Sequence, residues 1–463
     1  MKEEKYMKKK LAISIISTSI IFINILLSTK ISADNLNLKE NFGQATGDIV
    51  NAVSEDGYVD IPDITLRKSL NKALNQNEDD KISKRKLEKL TKFYSMFGEV
   101  SNLEGIQYCT NLRELNLQVN KIKDITLLEN LTKLRSLSLN VNEIEDISPL
   151  SELKELRELY IGYNQIKDLT PLSNLENLKE LSIGKLPIDN IEAIKNKPYL
   201  MHLSLDSNKL KDLTPIRTLK DLRSISISSS NVENIEFLKD LETVTWVDLH
   251  NNNINDITVL KTLPNLSGAV LNDNNIADIS PLKDLQDLEL VYVDNNNIAD
   301  ITPLKDLTNL KRIKVDNQKV ILSSKEVNGR VVIKNPLKHM NGYGKVKGLD
   351  NNGEVNESNT YISWNNIKDD TIKNLSFDFN EEVTLGREEI PFSGKVIQPV
   401  KFNSNAIKLE DINKNSVVDI DDMAIIASKY NKKHSDENWN EDFDLNKDSI
   451  IDILDLVIVS KSM

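Results

Sequence analysis

Two segments near the C-terminus set oxygen-bearing side chains at matching intervals. In the first, Asp411, Asn413, Asn415, Asp419 and Asp422 occupy positions 1, 3, 5, 9 and 12, with Val417 at position 7. In the second, Asp444, Asn446, Asp448, Asp452 and Asp455 do the same around Ile450. A hard cation with six to eight oxygen ligands needs this alternation, position 7 contributing a backbone carbonyl, so each loop is expected to hold one Ca2+, two ions in all. Helices are expected to follow at Met423–Tyr430 and Leu456–Lys461, closing a small two-loop domain over 401–463.

A second set of residues is defined only by the elements that must carry it. From Leu112 the chain repeats every 22 residues: Leu112, Leu134, Leu156, Leu178 and Leu200 form one column, Leu117, Leu139, Ile161 and Ile183 another, and Asn120, Asn142, Asn164 and Asn208 a third. Agreement in several columns at once identifies leucine-rich repeats over 112–317. Each repeat reads as a short strand with alternate residues such as Leu115 and Leu117 inward and Glu114, Asn116 and Gln118 outward. One repeat buries too little by itself, so neighbours stack around a shared core. The asparagines are expected to pair backbone groups at the bend after each strand. Ten such strands predict a concave sheet about 45 Å long, a broad surface that suits a protein or an oligosaccharide better than a small metabolite.

The outward positions of that sheet give the candidate ligand-binding residues: Tyr160 and Tyr163, His202 and Asp206, Trp246, Asp248 and His250, Tyr292 and Asp294. Aromatic side chains on an exposed sheet supply apolar contact area at low entropic cost. Trp246 is the foremost candidate, because other repeats carry Ser136, Glu158 or Gly268 at its position.

Around the repeats, Leu66, Leu70, Leu74, Leu87 and Leu90 predict a helical N-terminal cap over 58–111, with Cys109 in an apolar column. Alternating Leu375, Phe377 and Phe379, then Phe392 and Val396, with Trp364 in the core, predict a small antiparallel β-sandwich over 318–400. The expected fold class is α/β: a leucine-rich repeat solenoid with a helical cap, then a β-sandwich, then the α-helical calcium-loop domain.

The cap, the repeats with their Asp146-Ile147-Ser148-Pro149-Leu150 turns, and the run Phe392-Ser393-Gly394-Lys395-Val396-Ile397-Gln398-Pro399 together resemble the internalin family. The resemblance implies a cell-surface or secreted binding protein whose concave repeat face contacts a host receptor, with an immunoglobulin-like domain extending the rod. Neither the C-terminal wall-sorting signal nor the wall-binding modules usual in that family are expected here. The two calcium loops, each ending in Asp, resemble a dockerin. That resemblance implies docking to a cohesin domain through the helix starts, where Ile420, Asp421, Ile453 and Leu454 match the specificity positions. Ser416 and Ser449 stand where the family has glycine; serine disfavours a left-handed backbone, so weaker calcium affinity is expected.

Export is read from residues 1–33, with lysines at 2, 5 and 8–10, an apolar stretch from Leu11 to Leu27 and Ala33 before a cleavage point, followed by a linker over 34–57. Once the signal is cleaved no membrane span is expected, and the expected location is extracellular, with association to a cell surface through a cohesin as the further option. The net charge of −12, from 71 acidic against 59 basic residues, opposes nucleic-acid binding. A single cysteine excludes an internal disulfide framework.

Catalysis is not expected. A glycoside hydrolase would need two carboxylates about 5 to 10 Å apart, one with a raised pKa; Asp206, Asp248 and Asp294 share the sheet, but nothing in the sequence buries one of them. The histidines His202, His250, His339 and His434 form no metal or triad pattern. The function reading is therefore a non-enzymatic binder displayed through a cohesin partner, recognising a host or extracellular protein or a glycan. The alternative is a noncatalytic component of an extracellular polysaccharide-degrading complex.

Overall fold

The computed structural model describes residues 57–463 except 328, 368–370, 386–387, 403–409, 414–417 and 438. The export signal, all but the last residue of the linker, and Asn415, Ser416 and Val417 lie outside the described residues.

Apolar residues at the repeat spacing produce an eleven-stranded, all-parallel sheet in strict sequence order, each strand three residues long. The register never slips: Leu115 pairs with Leu137, Leu137 with Leu159, and the same step continues to Val291 and Ile313. The count is eleven rather than ten because Lys92–Tyr94, expected to belong to the cap, pairs in parallel with Glu114–Asn116. Phe93 and Leu90 stand one period before Leu115 and Leu112, but a buried Ser95 takes the place of the next leucine and Gly98 that of the asparagine. The hydroxyl of Ser95 donates to that of Ser69, which makes the polar substitution tolerable.

The return leg of each repeat is a single 3-10 turn, such as Ser148–Leu150 or Thr170–Leu172. Its sequence logic is local. In Asp-x-Ser/Thr, the aspartate Oδ1 accepts the N–H two residues on, at 2.8 Å for both Asp146–Ser148 and Asp168–Thr170, and proline pre-sets the turn. Short turns on one side and extended strands on the other curve the sheet.

The asparagine column is a hydrogen-bonding ladder. Asn274 Nδ2 donates to Leu249 O and Leu271 O, both at 3.0 Å, while its Oδ1 accepts from Ile254 N at 3.0 Å. Gln318 makes the equivalent bonds after the last strand. A second regularity accompanies it. The residue before each ladder position has a left-handed backbone, with φ between 52° and 60° from Phe97 to Asn317.

Ahead of the sheet lie helices Ile64–Ala73, capped by Asp63, and Lys84–Leu87; Leu90 falls outside both. Cys109 is fully buried. After the sheet, the predicted antiparallel sandwich is in fact mixed. Asn374–Leu385 runs antiparallel to Glu388–Phe402, but Gln318–Ile321 and Lys325–Val327 both join the latter in parallel. Gly394, at φ 157°, lets Gln318 approach so closely that a Cβ there would lie 2.1 Å from Gln318 O. Trp364 is fully buried and donates to Asp350 O at 3.0 Å. The last segment has a small apolar core of its own around Ile426, Ile451 and Val459. Its helices are Ile420–Ala427 and Ile453–Ser462, so the second is longer than the sequence suggested and both begin earlier. Asp419 and Asp452 form capping boxes with Asp422 and Asp455, moving each helix start into the loop.

Candidate functional site

Because each strand is only three residues long, Tyr160, His202, Trp246, Asp248 and Tyr292 are strand residues, whereas Tyr163, Asp206, His250 and Asp294 follow the strand ends. All nine are half-buried rather than fully exposed. The sheet gathers Trp246, Asp248 and His250 on adjacent positions and sets the others one or more repeats away.

Trp246 lies flat against the next strand. A Cβ on Gly268 would sit 2.2 Å from Trp246 Cε3, so the indole occupies the space that glycine leaves. Leu290, paired with Gly268 on the following strand, is 7% exposed, and Val270 and Tyr292 are half-buried in the adjacent outward column. These residues form an apolar floor, of which Trp246 and Tyr292 are the aromatic members visible from sequence. Glycine in a strand column 22 residues after a tryptophan was the available signal.

Around this floor the polar residues are committed to one another. Asp206 accepts from Ser226 Oγ at 2.6 Å, Ser228 N at 2.7 Å, Ser228 Oγ at 2.9 Å and Ser204 Oγ at 2.9 Å. It ties its own repeat to the next one. Asp248 Oδ1 lies 2.6 Å from His250 Nδ1, and this bond, against the opposing effect of burial, raises the His250 pKa. Burial holds His202 below the usual histidine range. Tyr160 donates to Glu180 at 2.5 Å, and burial with that carboxylate raises its phenol pKa. Lys185 stands 5.2 Å over the Tyr163 ring and Lys314 4.7 Å over that of Tyr292.

Asp294 departs from expectation. It is half-buried, its Oδ1 has no hydrogen-bond partner, and burial raises its carboxyl pKa, with Asp316 and Asp273 adding to the effect. Nothing beside Asp294 in the sequence signals this, because Asp316 and Asp273 belong to neighbouring repeats. A raised carboxyl is one half of a hydrolytic pair, but Asp206 and Asp248 are engaged by serines and by His250.

In the two acidic loops expected to hold cations, Asp411, Asp422, Asp444 and Asp455 are buried. Asp422 accepts from Asn413 N and Asp419 N at 2.9 Å; Asp455 accepts from Leu445 N at 2.7 Å and Asp452 N at 2.8 Å. Asp444 accepts from Ser449 N at 2.8 Å, and Ser449 adopts φ 71° despite its side chain. The donor set is all oxygen and the buried carboxylates suit a cation of that preference. Among the described residues no three acidic or histidine side chains converge closely enough to hold an ion. Asn413, Asp448, Ile450 and Asp452 lie in or beside the same loops. Ile420, Asp421, Ile453 and Leu454 are exposed, Ile420 at 63%.

Comparison with known proteins bears on the repeats and the sheets after them. The family model for Leucine Rich repeats (2 copies) matches residues 110–152 and 154–196, and the LRR adjacent model matches 348–401. The structure of an internalin (inlF) from Listeria monocytogenes is 35% identical, over 56% of this chain and 77% of that one, with a TM-score of 0.54. The chain belongs to the internalin family. Internalin C2 from the same organism is 27% identical over 55% of this chain and 93% of its own, with a TM-score of 0.35. No curated protein sequence matches this internalin. Among its described residues no helix is long and apolar enough to cross a membrane.

Proposed function

We propose that this internalin is an exported, non-enzymatic binding protein whose concave repeat face recognises an extracellular or host protein. The observation that carries the reading is the floor of Trp246, Gly268 and Leu290 in the middle of a broad sheet, where the glycine exists to seat the indole. Apolar area inside a polar rim is the composition of a binding surface rather than of a catalytic cleft. The flat indole also suits a sugar ring, which supports a glycan as the second reading and, with it, a place in a polysaccharide-degrading complex.

The C-terminal segment acts in this proposal as a dockerin. Asp411, Asn413, Asn415, Asp419 and Asp422 would hold one Ca2+ with the Val417 carbonyl, and Asp444, Asn446, Asp448, Asp452 and Asp455 a second with that of Ile450. Ile420, Asp421, Ile453 and Leu454 would meet the cohesin; three of them are exposed apolar side chains at helix starts, which supports the assignment.

The test offers the full chain to a panel of host-cell surface proteins and to a glycan array, with Trp246→Ala in parallel. Loss of a captured ligand at least tenfold in affinity supports the floor as the site; unchanged affinity places recognition elsewhere. Capture of a cohesin domain that survives a chelator contradicts the dockerin reading.

A further inference from the structure

In the sheets after the repeats, Asn374–Leu385 and Glu388–Phe402 run side by side in unbroken antiparallel register, from Asn374 against Pro399 to Leu385 against Glu388. Val400 N donates to Lys373 O at 2.9 Å, so odd-numbered residues of the first strand bond to even-numbered residues of the second. The remaining backbone groups point to the outer edges. On the edge of Asn374–Leu385 these groups are paired at first: Asp378 exchanges two bonds with Lys347, both at 2.8 Å, and Asn380 O accepts from Lys347 Nζ at 2.7 Å. Beyond that point the pairing stops. Among the described residues the outward N–H and C=O groups of Glu382 and Thr384 make no hydrogen bond, and both residues are exposed.

The two edges of this ribbon differ. On the opposite edge the outward residues are Glu389, Pro391 and Ser393; Pro391 has no N–H, and Ser393 Oγ accepts from Asn317 N at 3.2 Å. Proline guards an exposed edge against strand addition. The Glu382–Thr384 edge carries neither a proline nor a register shift. Its side chains alternate, Val383 and Leu385 buried, Glu382 and Thr384 exposed. Its charge is one-sided: residues 380–392 hold four glutamates against one arginine. Glu389 stands opposite Thr384 and diagonal to Glu382, on the same exposed face. The nearby lysines, Lys345 and Lys347, stand at the paired end with Glu381 and Asp378. Among the described residues Glu382, Glu388 and Glu389 make no ion pair.

We propose that the Glu382–Thr384 edge, a surface apart from the Trp246 floor, takes up an extended segment of a partner protein in which cationic and apolar residues alternate. The partner's main chain pairs with the outward groups of Glu382 and Thr384, as when a strand adds to an unpaired sheet edge. Residues opposite each other in a strand pair share a face. The partner's lysines or arginines therefore lie beside Glu382 and Glu389, and its apolar residues beside Val383 and Leu385.

The test titrates the full-length protein with a fluorescein-labelled peptide alternating lysine and valine. Two controls run beside it: the glutamate-for-lysine counterpart, and the lysine peptide N-methylated at every residue, which keeps the charge and removes every main-chain donor. The unmodified lysine peptide is expected to bind at least tenfold more tightly than either control, and less tightly at high salt. Thr384→Pro removes an outward N–H and leaves the bonds to Glu388–Phe402 in place; it is expected to weaken binding at least tenfold at an unchanged melting temperature. Glu382→Lys, on the surface, is expected to weaken it similarly. Equal binding of either control, no saturable binding of the lysine peptide, or wild-type affinity in either folded variant would overturn the proposal. Should Thr384→Pro misfold, Glu382→Lys and the methylated peptide decide. Trp246→Ala leaves this edge untouched, so the two surfaces fail or stand separately.

Discussion

Lys197 stands where Leu153, Leu175, Leu219 and Leu241 stand in other repeats, and it is 1% exposed. Its Nζ donates to Leu172 O at 2.8 Å, Ser173 O at 3.2 Å and Leu175 O at 3.3 Å, and burial lowers its pKa to about 8. A buried amine satisfied by carbonyls alone is weaker than a packed leucine, so Lys197→Leu is expected to stabilise the fold by about 1–2 kcal/mol at pH 7. The sign of the pH effect follows. Between about 8 and the ordinary 10.5 the unfolded chain binds more protons than the native one, so wild-type stability rises with pH there. The gap between variant and wild type in urea titrations should narrow across that window; a constant gap would contradict it. His250 has the opposite sign. Its pKa is raised from 6.5 mainly by the bond to Asp248, so the pair contributes stability below pH 6.5 that is lost as pH climbs through the folded value. Histidine NMR titration of Asp248→Asn should bring His250 back down. At Gly268, alanine would put a methyl into the Trp246 ring, and Gly268→Ala is expected to change tryptophan emission and abolish whatever the floor binds.

Strands of three residues have little independent stability, and what fixes their register lies beside them. Each ladder asparagine pairs donors and acceptors of two repeats, so Asn274→Ala, which orphans buried groups, is expected to cost about 2–4 kcal/mol in a urea titration. The left-handed column behaves differently along its length. Asn251, Asp273 and Asn295 suit it, whereas Val119 and Val141 are strained there. Val141→Asn is therefore expected to raise stability by about 1 kcal/mol. A smaller or reversed change would show that valine packing outweighs backbone strain.

At the scale of the molecule, the repeat sheet and the sheets after it share a hydrophobic core, while the C-terminal segment has a separate small one. Two cores of unequal size predict two melting steps. If the C-terminal loops hold Ca2+, a chelator should lower the first step and the helical circular dichroism while leaving the main transition in place, since a site that exists only in the folded state turns binding free energy into folding free energy. A single, chelator-insensitive transition would contradict the calcium assignment.

The 22-residue period, the inward leucines, the asparagine ladder and the Asp-x-Ser/Thr turns were legible because each depends on contacts within a repeat or with the next identical one. The strand Lys92–Tyr94 was missed because Ser95 and Gly98 broke the pattern where the cap begins. The mixed pairing after the repeats was missed because alternation marks a strand without naming its partner's direction. Trp246 could be picked out, but not the way it lies on Gly268; Asp206 could be picked out, but not the three serines that claim it. A single chain of letters states which residue types recur, and recurrence alone determines a stacked, leucine-cored sheet. Which outward side chains remain available and which carboxyl is covered depend on residues one or two repeats away, brought to about 5 to 10 Å only when the coils stack.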